Sequence, residues 1–186
     1  VPDWIVLPAG NLGNTAAFGK ALREAHDWGL IDRLPRIACV QAAGAAPFAL
    51  GFAEQFAVRH RVTPHTVATA IKIGDPASWD RAVRTLLETK GVAISVTDAQ
   101  ILAAKAVIDG AGVGCEPASA ASVAGVRELR AAGTIAPTDR VVAVLTGHVL
   151  KDPGILLDRM TSEVADDPHR PTRIAPNVDA VARLLG

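Results

Sequence analysis

The chain has 186 residues, 49% apolar and 20% charged, and its 19 basic and 19 acidic side chains cancel to a formal net charge of zero. Such a composition folds around one substantial core, and it lacks the basic excess of a nucleic-acid footprint or a polybasic membrane surface. The two cysteines lie far apart, which argues against a disulfide framework and sets a reducing cytoplasm as the expectation. The histidines form no metal-ligand spacing, and no apolar run approaches the length of a membrane span.

In chain order, short Val/Ile-rich runs alternate with longer helical stretches, which predicts an α/β fold: a parallel sheet with helices on both faces. The strands are expected at WIVLP (4–8), RIACVQ (36–41), VAISV (92–96) and RVVAVLTG (140–147). None of them alternates, so burial on both faces is expected. Cys39, inside the second, reads as a small buried hydrophobe. Helices are expected over 14–29, 46–57, 78–90, 98–112, 117–133 and 178–185. Ser78 and Thr97 stand where N-caps belong, and Gly29, Gly91 and Gly133 where helices stop. The basic stretch VRHRVTPHT (58–66) predicts a surface loop, and TSEVADDPHRPTRIAP (161–176) a polar tail. The chain opens without methionine directly into strand-like sequence, so one piece of a longer protein is expected.

Between the first strand and the first helix lies PAGNLGN (8–14). Gly10 and Gly13 permit a sharp turn and close approach to an anion. Asn11 and Asn14 tolerate left-handed backbone and carry amide donors. The helix that follows aims unpaired N–H groups and its positive end back at the loop. This is a phosphate cup at the carboxyl end of a strand. A nucleoside triphosphate site would need Gly-Lys-Ser/Thr, but Lys20 lies well into the helix. A dinucleotide site would need Gly-x-Gly-x-x-Gly, which Leu12 and Asn14 do not complete. A small cofactor with one phosphate, such as pyridoxal phosphate, needs neither, and a ligand-free glycine turn also accounts for the loop.

Three further segments narrow the choice: ATAIKIGDPASW (68–79), GVGCEPASAASVAG (112–125) and LTGHVLKDP (145–153). Together with PAGNLGN, in this order and spacing, they resemble threonine synthases, members of the fold-type II pyridoxal-phosphate enzymes. The resemblance covers residues 1–157. It implies the large domain of a fold-type II enzyme, similar to the tryptophan synthase beta chain, over 1–160, with 161–186 as a C-terminal tail and helix. It implies that Gly10, Asn11, Leu12, Gly13 and Asn14 hold the cofactor phosphate, mostly through backbone N–H groups, so that Leu12 could vary. Thr146 would hydrogen-bond the pyridine nitrogen, and Ala70 would lie against a ring face. Glu116 would stand near the cofactor edge, or act only as a carboxylate at a helix N-terminus. Lys72, Asp75, His148 and Lys151 are expected as supporting or surface residues, with His148 the one to watch.

The same resemblance implies what the chain lacks. None of Lys20, Lys72, Lys90, Lys105 and Lys151 matches the lysine that links covalently to the cofactor. That residue is expected upstream, in a missing N-terminal half, so no catalytic residue is assigned here. The complete protein, expected as a homodimer, would convert O-phospho-L-homoserine and water to L-threonine and phosphate, and this portion alone would be inactive. Open alternatives are a threonine or serine dehydratase, or another β-eliminating or β-replacing enzyme of the group. A non-catalytic phosphate-binding paralogue is a further one, and a nucleotide-binding α/β protein the least supported.

Overall fold

The computed structural model describes residues 1–155 and 172–186; residues 161–171 of the expected tail lie outside them. The chain divides into two compact units, Val1–Lys151 and Asp152–Gly186. In the first, β1 (Trp4–Pro8), β2 (Arg36–Ala42), β3 (Val92–Val96) and β4 (Val141–Ala143) form one sheet in the order β3-β2-β1-β4. All three pairings are parallel, with Val6 of β1 opposite Ala38 of β2 and Ala143 of β4.

The helices are α1 (Gly13–Asp27), α2 (Pro47–Ala53), α3 (Trp79–Glu88), α4 (Asp98–Gly110) and α5 (Pro117–Ala131). Side chains of a strand alternate between faces, and each face here has its own core. Trp4, Val6, Ala38 and Val40 pack with Ile101, Ala104, Ala121 and Ala124 of α4 and α5. Ile5, Leu7, Ile37 and Cys39 pack with Phe48, Trp79, Ala82 and Leu86 of α2 and α3. In α5, Gly125 lies directly on β2, where a Cβ would collide with the Val40 side chain. In the second unit, α6 (Val178–Leu185) is capped by Asn177, whose Oδ1 accepts the Ala180 N–H at 2.9 Å. Among the described residues no helix is long and apolar enough to cross a membrane.

Some local expectations give way to tertiary structure. Only β1 and β2 are buried on both faces; β3 and β4, the outer strands, are partly exposed. Helix α2 ends at Ala53 rather than 57 because Gln55 and Phe56 turn left-handed, at φ 54° and 61°. That reversal sets the Phe56 ring 5.0 Å from Phe48 and edge-on to Trp79. Ser78 precedes α3 but makes no cap; its hydroxyl accepts from Arg81 at 3.0 Å. Thr97 does cap α4, in a reciprocal box with Gln100. Gly29 and Gly133 end their helices at φ 71° and 72°. After α3 the left-handed residue is instead Lys90, and Gly91 is glycine because a Cβ there would overlap the Ile37 carbonyl.

The fourth strand stops after Ala143, although the apolar pattern runs to 147. The Val144 N–H still reaches the Val6 carbonyl at 3.0 Å. The next donors are captured from the opposite side: Thr146 N–H and Gly147 N–H both donate to Ser119 Oγ, at 2.9 and 2.8 Å. A backbone whose N–H groups go to a helix side chain cannot continue a ladder.

Candidate functional site

Chain order places β2 on one side of β1 and β4 on the other, so the carboxyl ends of β1 and β4 flank a point where the winding reverses. Open α/β sheets bind ligands in such crevices. Here the crevice is a cleft of about 280 Å³. All eight residues singled out in the sequence line it: Gly10, Asn11, Leu12, Gly13, Asn14, Ala70, Glu116 and Thr146. Volume does not distinguish it, since a cleft of about 320 Å³ lies between α1 and α3 beside Lys20, Arg81 and Arg84. Its donors do.

The 9–14 loop is held from behind. Ala9 N–H donates to the Val40 carbonyl at 2.8 Å, and Gln41 Nε2 donates to the Ala9 carbonyl at 3.1 Å. Gln41 is fully buried, and its Oε1 accepts the Phe48 and Ala49 N–H groups at the start of α2. Sequence reading passed over Gln41; a lone amide in an otherwise apolar strand was the available signal. Gly10 lies so close to the 69–71 turn that a Cβ would stand 2.9 Å from the Ala70 oxygen and Ile71 Cα. Asn11 Oδ1 accepts the Ala77 N–H at 2.7 Å, and the Asn11 carbonyl accepts the Ser78 N–H. Its side-chain oxygen therefore braces the loop.

Leu12 departs from expectation. It is buried, packs among Ile5, Leu7, Phe48 and Trp79, and has φ 63°. A residue that is both a core side chain and left-handed is not free to vary. Its backbone turns the chain into α1 with no side-chain cap. Among the described residues no acceptor receives the N–H groups of Gly13, Asn14 and Thr15. A Cβ on Gly13 would meet no atom within 4 Å.

Across the cleft, Ala70 is exposed while Ala68 and Ile71 beside it are core. Thr146, also exposed, follows the end of β4, with its Oγ1 3.0 Å from Ser119 Oγ. Glu116 is the residue before α5, is 2% exposed and makes no cap hydrogen bond. Both of its carboxylate oxygens lie 3.2 Å from Lys151 Nζ. The carboxylate also lies against Gly147, where any Cβ would collide with it. Lys105, itself buried, anchors the segment by donating to Asp109 and to the Cys115 carbonyl at 2.8 and 2.7 Å.

Of the four residues expected to play supporting parts, Lys151 is the one that lines the cleft. His148 uses Nδ1 locally, on the Leu150 N–H. Asp75 pairs with Arg59 and Arg61, and Lys72 is exposed. Sequence gave no reason to prefer Lys151, because its partner lies 35 residues away.

Comparison with known proteins agrees with this geometry. The family described as pyridoxal-phosphate dependent enzyme matches residues 1–147. Threonine synthase of Methanosarcina acetivorans is 43% identical over 187 residues, covering 100% of this chain and 44% of that protein. Threonine synthase of Mycobacterium leprae is 48% identical over 162 residues, covering 87% of this chain and 43% of that protein. The chain thus spans less than half the length of these relatives. The crystal structure of threonine synthase from Escherichia coli superposes with a TM-score of 0.61 at 17% identity, over 99% of this chain and 44% of that one. At that identity the likeness concerns the fold. With the family matched across the whole sheet and the cleft at its switch point, the chain belongs to the pyridoxal-phosphate dependent enzymes.

Proposed function

We propose that this chain is the cofactor-binding part of a threonine synthase, which when complete converts O-phospho-L-homoserine and water to L-threonine and inorganic phosphate. The carrying observation is the set of N–H groups on Gly13, Asn14 and Thr15 at the start of α1, which have no acceptor among the described residues, beside a cleft lined by Gly13, Asn14 and Thr146. Helix N-termini of this kind bind phosphate. The open space at Gly13, where a Cβ would meet nothing within 4 Å, is a cradle that a phosphate oxygen can occupy. The residues present therefore fit a phosphorylated pyridine. The choice of threonine synthase rests on relatives 43% and 48% identical.

When bound, pyridoxal phosphate supplies an electron sink for negative charge developing on the substrate carbons. The chain's own residues bind and orient. The 10–14 loop holds the phosphate, and the small Ala70 leaves room for a flat ring. Thr146 offers a neutral hydroxyl to the ring nitrogen. A hydroxyl cannot take a full proton as a carboxylate would, which moderates the sink and favours elimination and replacement over transamination. Lys151 keeps the Glu116 charge compensated. Neither it nor Lys20, Lys72, Lys90 or Lys105 matches the position that the family resemblance implies for the covalent lysine. We therefore place that lysine outside these 186 residues.

The test uses the longer protein that carries this chain. Purified with pyridoxal phosphate, it should show a visible band removed by borohydride and release phosphate from O-phospho-L-homoserine with threonine formed. Keto-acid release from threonine or serine instead would assign a dehydratase. A cofactor-free protein that binds phosphate alone would assign a non-catalytic paralogue.

A further inference from the structure

We propose that Ser119 is a positioning residue that sets the direction of the hydrogen bond Thr146 makes in the cleft, so that Thr146 meets the cofactor ring nitrogen as a proton donor. The proposal rests on the reading that the cleft takes a phosphorylated pyridine. It follows from counting protons and lone pairs.

Ser119 is the third residue of α5 and is fully buried. Its Oγ accepts two backbone N–H groups, from Thr146 at 2.9 Å and Gly147 at 2.8 Å. An N–H can only donate, and a serine hydroxyl has two lone pairs and one proton. Both lone pairs are thus occupied. The proton needs an acceptor, and the one within reach among the described residues is Thr146 Oγ1 at 3.0 Å. Thr146 therefore accepts from Ser119, and its own proton has no acceptor among the described residues. That proton faces a cleft that Thr146 lines.

The bonds all run one way, from the backbone N–H groups through Ser119 to Thr146 and into the cleft. Aligned hydrogen bonds polarise one another, so each hydroxyl becomes a better donor and a poorer acceptor. Thr146 is then matched to an unprotonated ring nitrogen and mismatched to a protonated or alkylated one. Nearby charges do not oppose this. Glu116 is paired with Lys151 at 3.2 Å, and His148 directs Nδ1 to the Leu150 N–H. The relay also explains the early end of β4, because the same hydroxyl removes two donors from the strand path and aims the third group of the chain.

If Ser119 only staples the 146–147 turn to α5, its loss would weaken every ligand alike. The discriminating experiment compares pyridoxal phosphate with its N-methylated analogue, which keeps the phosphate but has no lone pair on nitrogen. Fluorescence titration of the longer protein should give a preference for pyridoxal phosphate of about tenfold, the order expected from one matched hydrogen bond. Ser119→Ala should reduce the preference to about twofold, whatever it does to both affinities. Thr146→Val should abolish it, and adding Ser119→Ala to that variant should change it no further. Ser119→Thr, which keeps a hydroxyl, should retain it.

A folded Ser119→Ala protein with the wild-type preference would overturn the proposal, as would wild type with no preference. Should Ser119→Ala not fold, the ring-nitrogen resonance of nitrogen-15-labelled cofactor in the wild type decides: an unprotonated nitrogen supports the relay and a protonated one refutes it. Failure of both compounds to bind would refute the cofactor reading itself, and the proposal with it. Binding of both without discrimination would refute the proposal alone.

Discussion

Two glycines of one loop should respond oppositely to the same substitution. At Gly10 an alanine Cβ would stand 2.9 Å from the Ala70 oxygen and 2.9 Å from Ile71 Cα, both backbone atoms that cannot swing aside. Overpacking of this kind costs about 1–3 kcal/mol. In a unit of this size each kcal/mol moves the melting temperature by about 2–4 °C, so Gly10→Ala should melt about 2–12 °C lower. At Gly13 the added Cβ would meet nothing within 4 Å, and the residue opens α1 without positive φ. Alanine is the better helix former by up to about 1 kcal/mol, so Gly13→Ala should melt at or slightly above wild type. Its methyl, however, takes the space left for a phosphate oxygen. Losing one charge-assisted hydrogen bond, about 1.5–3 kcal/mol, should weaken pyridoxal phosphate about 10–150-fold and leave unphosphorylated pyridoxal unchanged. Thermal melts by circular dichroism and paired titrations with the two compounds read both effects. A Gly13→Ala protein that binds pyridoxal phosphate within about twofold of wild type, or melts as low as Gly10→Ala, would refute the reasoning.

The Glu116–Lys151 pair joins a 3% exposed carboxylate to a lysine that is 58% exposed, so it lies between the buried and surface cases. Lys151→Met should destabilise by roughly 1–3 kcal/mol in urea melts, and adding Glu116→Gln should recover most of the loss. Asp3 is held below the usual 3.8 chiefly by the Arg140 N–H, with Arg33 adding to it. The folded state thus favours the carboxylate, so its contribution is complete above about pH 4 and is lost as pH falls through the lower folded value. Asp3→Asn should flatten that acid limb, read by urea melts across the acid range. Burial pushes the Cys39 thiol up to about 12, against the opposing effect of its hydrogen bond with Thr15. Stability should therefore be complete below the thiol's ordinary 9.0 and decline towards 12 as the unfolded thiol ionises. Alkaline urea melts should show this slope reduced in Cys39→Ala, and native Cys39 should resist iodoacetamide near neutral pH.

Much of the fold was present in local pattern. Val/Ile runs placed four strands, three of them within a residue of their ends, and Thr97 marked an N-cap that forms. The glycine-asparagine loop marked the turn into α1. These signals act over a few residues, through backbone sterics, hydrogen bonds within one turn, and periodic burial. Where a partner comes from another part of the chain, pattern was silent or misleading. The apolar run to Gly147 predicted strand, but Ser119 takes its donors. Leu12 read as a variable loop position, but strand order puts it in the core at φ 63°. His148 was the one to watch, but the chain path brought Lys151 to Glu116 and left His148 bonded locally to the Leu150 N–H. Likewise the cleft, as a single place, exists only because β1 lies between β2 and β4. The four motifs that line it are separated by up to 136 residues, from Gly10 to Thr146. Local chemistry determined what each motif could offer. Strand order, decided by the burial of the whole sheet, determined that they offer it to one another.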